Sequence, residues 1–246
     1  MPIVTTGSAE TAILLRDDSP ESVRQARRLW DEYSGAPGLL DGEGYAYNPD
    51  RQTYRRTGGR IISQSELRAM VKKVSDEGAL RMKKSTQQLI AGGILLSVWY
   101  SRMQSLMRAL YRTIWTLSIG GFVFEDDTTR NAFYLLTLLQ FNYLDNFYYQ
   151  LEHGTQALNG LAMSRAGMYG DWGNGLWQNI RLENDIQAGR TEAKRILGSN
   201  ENHCRDYADR QGCLELAKLG WVPIGKMVPI GGATCYSNCQ CRIITR

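Results

Sequence analysis

Apolar residues recur at helical spacing almost without interruption from Leu67 to Leu151, and that run constrains the fold more than any other feature of the chain. Side chains three and four positions apart share one face of a helix. Leu67, Met70, Val71 and Val74 therefore mark a first buried stripe, carried on through Leu80–Gln88 after a break expected near Gly78. Gly92-Gly93 splits or kinks that helix, or lets another backbone approach closely. Trp99, Met103, Leu106, Leu110, Ile114 and Leu117 then form a second stripe, with Arg102, Arg108 and Arg112 off it, ended by Gly120-Gly121. Asp126-Asp127-Thr128 supplies carboxylates and a cap for the next helix start.

The segment from Arg130 to His153 is apolar on nearly every side. A helix of that kind is either central to a bundle or packs its outer face on another subunit. Under the second reading Phe133, Leu136, Phe141, Phe147 and Tyr148 are interface residues, together with Trp221 further on. Two more helices are expected: Gly154–Tyr169, and Leu176–Leu197 with Leu176, Ile180, Ile186, Ala193 and Ile196 inward and Gly198 as its C-terminal cap. Asp171-Trp172-Gly173-Asn174-Gly175 reads as a turn between them.

Ahead of the helices, Tyr45-Ala46-Tyr47 and Thr53-Tyr54-Arg55 flank the turn sequence Asn48-Pro49-Asp50, which predicts a small β-hairpin. Ser63 and Glu66 have the spacing of a capping box that opens the first long helix. Ser19-Pro20-Glu21-Ser22 starts a short helix through Tyr33 within a loose N-terminal arm. The expected fold is mainly α: an arm over 1–41, a β-hairpin element over 42–63, a helical-bundle body over 64–198 and a cysteine module over 199–246. No repeat of solenoid period is present.

All five cysteines, Cys204, Cys213, Cys235, Cys239 and Cys241, fall in that last module, with His203 beside the first. Cysteine used only as a small core residue would be scattered. Clustering implies a local task. Structural zinc takes four N or S ligands on turns and can hold together a module too small for its own core, which makes Cys204, Cys213, Cys235, Cys239, Cys241 and His203 the candidate ligands. Late disulfides or free thiols are the alternatives; the odd cysteine count leaves one thiol over in a monomer. Between the two halves of the cluster, Val222-Pro223-Ile224-Gly225 and Val228-Pro229-Ile230-Gly231 are extended, turn-ended segments suited to bringing the halves together.

The run His203-Cys204, then Gly220-Trp221-Val222-Pro223-Ile224-Gly225, then Gly232-Ala233-Thr234-Cys235-Tyr236-Ser237-Asn238-Cys239-Gln240-Cys241-Arg242 resembles the C-terminal signature of phage head-morphogenesis proteins, the minor head proteins of the Mu F and SPP1 type. Those end in a cysteine motif closing on Asn-Cys-Arg-Cys; here Gln240 stands for the Arg. Gly189-Arg190-Thr191-Glu192-Ala193 looks like the segment that precedes the motif. The resemblance covers roughly the last fifty residues. It implies a virion component of a tailed bacteriophage, assembled in the host cytoplasm and located in the head or at the head–tail junction, with the portal or major capsid protein and further copies of itself as partners.

Signals for other classes are sparse. The chain has only two histidines, His153 and His203, and neither adjoins a nucleophile motif, so no enzyme is expected. His153 at a helix end reads as a dipole partner. Gly167, Gly170, Gly173 and Gly175 lack the Lys-Ser/Thr and preceding strand of a phosphate loop and read as a flexible turn. Glu125-Asp126-Asp127 reads as a helix-start complement. Arg51, Arg55, Arg56 and Arg60, interleaved with tyrosines, are candidate DNA contacts and the basis of an alternative, a metal-stabilised nucleic-acid-binding protein. The balance of 29 Lys+Arg against 25 Asp+Glu gives that alternative little general support. Met1–Thr6 lacks the pattern of a secretory signal, and Arg102, Arg108 and Arg112 interrupt the most apolar stretch, so no membrane span is expected.

Overall fold

The structure, a computed structural model, describes residues 45–48, 53–56, 61–119, 127–198, 203–207, 211–234, 239 and 241–246. The N-terminal arm with its 23–33 helix, Arg51, Arg60, Glu125-Asp126 and Cys235 lie outside the described residues.

Three antiparallel strands lead in: β1 (Tyr45–Asn48), β2 (Thr53–Arg56) and β3 (Ile61–Ile62), ordered β1-β2-β3. The expected hairpin thus gains a third strand, paired Tyr54↔Ile62 and Arg55↔Ile61. The capping box is present at the start of α1 (Gln64–Ile90): Ser63 Oγ accepts from the Glu66 amide at 3.2 Å, and the Ser63 amide donates to Glu66 Oε2 at 2.9 Å.

Helix α1 runs straight through Gly78. A Cβ there would meet Leu110 Cδ2 at 2.9 Å, so the missing side chain serves a close helix contact and not a break. Gly92-Gly93 does end it: Gly92 sits at φ +71, and α2 (Leu96–Ile119) follows. Trp99, Met103, Leu110, Ile114 and Leu117 are buried as the stripe requires. Arg108 is buried as well, 2% exposed, with its guanidinium 4.9 Å from the Phe141 ring centre. It does not face solvent, because α3 (Asp127–Glu152) lays an aromatic over it where a cation gains from a ring face.

Helix α3 decides between the two readings of the aromatic segment. Phe133, Leu136, Phe141 and Phe147 lie in the core. Phe133 stacks on Trp115 at 4.2 Å, and Phe147 meets Trp99 edge-on at 5.4 Å. These four rings and side chains are therefore not interface residues of the surface; the chain's own helices consume them, since large aromatics gain most by full burial. Tyr148 is half-buried against the core, and the exposed aromatics of α3 are Tyr143 and Tyr149. His153 hydrogen-bonds the Tyr149 carbonyl at 2.9 Å at the helix end.

Helices α4 (Gly160–Asp171) and α5 (Gly173–Gln187) meet at Trp172 with no open turn between them. Helix α4 starts later than expected because Asn159 caps it, accepting from Leu161 N at 2.9 Å. The glycines read as a flexible turn line helix contacts. A Cβ on Gly170 would lie 2.3 Å from the Ala79 amide nitrogen, and one on Gly173 would lie 2.1 Å from Ser75 Oγ. Only glycine lets α4 approach the α1 backbone this closely.

The expected 176–197 helix stops at Gln187. Gly189 turns the chain at φ +80, and β4 (Glu192–Ile196) follows as the central strand of a second antiparallel sheet, β5-β4-β6. Helix α6 (Cys213–Lys218), β5 (Val222–Pro223), a 3-10 turn (Ile224–Lys226) and β6 (Arg242–Thr245) complete this module. Gly198 therefore caps no helix. The sheet joins residues from both sides of position 198, pairing Ala193 with Val222 and Arg195 with Ile243. Among the described residues no helix is long and apolar enough to cross a membrane.

Candidate metal centre in the C-terminal module

Cys213 is the first residue of α6, while Cys239 and Cys241 lie just before β6. Their three sulfurs lie within 4.8 Å of one another, and the Cys213–Cys239 separation is 3.7 Å. The residues are 1%, 2% and 3% exposed. Three soft donors at this spacing, drawn from two separate segments, are the donor set that zinc or another thiophilic cation takes. The Cys241 thiol is raised above its ordinary value: the Cys213 contact acts downward, and the Cys239 thiol and burial outweigh it.

Cys204 is adjacent to this triad but outside it. Its sulfur accepts the Cys213 amide at 3.0 Å, and its carbonyl accepts from Leu214 N at 3.4 Å. The Gly212 amide donates to Asp206 at 2.6 Å, and a Cβ on Gly212 would meet the Cys204 carbonyl oxygen at 2.5 Å, so the two stretches run in close contact. His203 is half-buried and does not join the sulfur group. Of the six candidate ligands the structure thus assembles three, holds Cys204 next to them and leaves His203 apart. Trp221 is half-buried, with the Arg246 guanidinium 4.5 Å from its ring centre while bonding Glu192 at 2.7 Å.

Two features are invisible in the linear sequence. One is Arg195, 1% exposed, an inward residue of β4. Its Nη1 points at Cys213 Sγ (3.5 Å) and Cys239 Sγ (3.6 Å), and its Nη2 donates to the Val228 carbonyl at 2.5 Å and the Pro229 carbonyl at 3.3 Å. Burial alternates along the strand, with Ala193 and Arg195 inward.

The other is the seam between module and body. Along α5, Asn174 Nδ2 donates to the Cys239 carbonyl (2.7 Å), and the Asn179 amide both donates to the Ile230 carbonyl (3.0 Å) and accepts from the Ile230 amide (3.1 Å). Asp185 accepts from Thr245 Oγ1 at 2.8 Å. Gly231, at φ +91, lies so close to the Trp172 ring that a Cβ would fall 2.0 Å from it. The second Val-Pro-Ile-Gly copy is therefore clamped to the α4–α5 junction.

Of the arginines considered for DNA contact, Arg55 and Arg56 are successive residues of β2, pairing with Ala46 and Tyr45 respectively.

Fold and site together define a helical-bundle protein whose C-terminal module carries a buried three-cysteine cluster beside an arginine. Compared with known proteins, the chain matches no family model, no curated protein and no solved structure.

Proposed function

We propose that this chain is a structural, non-enzymatic component of a tailed-bacteriophage head, a minor head or head-completion protein, whose C-terminal module is held rigid by a divalent metal such as zinc. It works by docking, with the portal or major capsid protein as partner and several copies per particle. The observation that carries the reading is the sulfur triad, since Cys213, Cys239 and Cys241 converge in a buried position. Two of them belong to the closing Asn238-Cys239-Gln240-Cys241 that resembles the phage motif.

The metal's chemistry here is structural. Cys213, Cys239 and Cys241 would hold it, tying α6 to the start of β6 across a module with a small core. The seam along α5 then passes that rigidity to the helical body.

Purified particles test the function. The chain is expected to stay with washed virions and to cross-link to the portal or major capsid protein. Recovery only in the free lysate would overturn the reading. Tight DNA binding that weakens steeply with salt would favour the nucleic-acid alternative instead.

A further inference from the structure

We propose that Arg195 is the built-in counter-charge of the cysteine centre, so that the module folds tightly only around three thiolates and a doubly charged cation. The inference rests on the metal reading above and deepens it.

Arg195 is among the largest fully buried side chains, at 1% exposure. A guanidinium does not lose its proton in a protein, so a buried one is strongly unfavourable unless its charge is matched where it lies. Among the described residues no carboxylate pairs with it; its partners are two carbonyls, which carry no net charge, and two sulfurs. Among the described residues, the acidic groups that it contacts are therefore the thiols of Cys213 and Cys239, with Cys241 in the same cluster.

An N–H aimed at a thiolate is a charge-assisted bond, whereas one aimed at a neutral thiol is weak. Metal binding is what ionises all three sulfurs, because a cysteine ligand must give up its proton. Three thiolates, one doubly charged cation and one guanidinium sum to zero. With the protons on and the metal absent, the same pocket holds an unbalanced cation. With metal bound and Arg195 replaced by a neutral residue, it holds an unbalanced negative charge. Either imbalance is penalised in a low-dielectric interior. Arg195 thus couples metal occupancy to the fold by charge, in addition to bracing the Val228 and Pro229 carbonyls.

The full chain tests this with Arg195→Lys and Arg195→Gln. Zinc affinity is read by competition with a chromophoric chelator, and melting temperature is read with and without zinc. Lysine keeps the charge but not the forked geometry; glutamine keeps hydrogen-bonding capacity without the charge. The expected result is that Gln weakens zinc binding by about tenfold or more and Lys by much less, with Gln melting no lower than the unsubstituted chain when metal is absent. Equal losses in the two variants, or a larger loss with Lys, would overturn the charge role and leave Arg195 as a brace. Should the metal-free chain not fold, the order of the two affinities alone decides. Failure of the unsubstituted chain to bind zinc would instead refute the metal reading itself, a separate outcome.

Discussion

Asp171 closes α4 partly buried, and burial lifts its carboxyl above the ordinary value of 3.8, with Lys83 pulling the other way. A raised carboxylate pKa means that the folded chain holds the proton more readily than the unfolded one. Its charged form therefore costs stability that grows as pH rises above the unfolded value and vanishes below it. Asp171→Asn is expected to raise the melting temperature at neutral pH, with the gain shrinking as pH falls into the carboxylate range; a loss at neutral pH would show that the charge is needed. At this scale the sequence was partly readable. The cysteines declared themselves by clustering, and Cys213, Cys239 and Cys241 do meet. Arg195 did not, because Glu192-Ala193-Lys194-Arg195 consists of good helix formers and an arginine is ordinarily placed at the surface.

Among the elements, those with strong periodicity were legible: α1, α2 and α3 appear where the three- and four-residue spacing places them, and Ser63 caps α1 as its spacing to Glu66 requires. What propensity misassigned was β4, whose strand state comes from pairing with β5 and β6, segments distant in sequence. Glycine was also misread as punctuation. At Gly170 it is a contact surface, so Gly170→Ala, normally favourable within a helix, is expected to destabilise by about 3 kcal/mol through collision with the Ala79 backbone. Denaturant unfolding measures this, and a neutral or stabilising result would mean that α4 does not sit so close to α1. At the seam, Asn179→Ala strips both partners from the buried Ile230 peptide and is expected to cost about 2 kcal/mol. Hydrogen exchange should then show faster opening at Ile230 than in α1; uniform exchange would indicate that the clamp is not what holds the module.

For the molecule as a whole, the two hydrophobic clusters differ in size and in what holds them. The body packs apolar residues of five helices around tryptophans and phenylalanines of α2, α3 and α5, while the C-terminal cluster is a small group that includes Cys213, Cys239 and Cys241. A core that small gains little from apolar burial alone, so under the proposed metal reading its integrity depends on the centre and on the α5 seam. Chelation is expected to loosen residues 203–246 first while α1 to α3 stay folded, which limited proteolysis would reveal as a cut within the module and a surviving helical fragment. The global pattern of an α body with a cysteine appendage was legible because it rests on periodicity and clustering; the seam was not, because it is built from polar side chains of α5 that reach backbone atoms fifty or more residues away.

Native mass spectrometry of the purified full chain tests the account most directly. The chain is expected to carry one divalent metal ion, lost on acidification or when Cys213 and Cys239 are both replaced by serine. A chain of apo mass whose cysteines all react with an alkylating reagent, or one whose mass shows disulfides in place of metal, would contradict it.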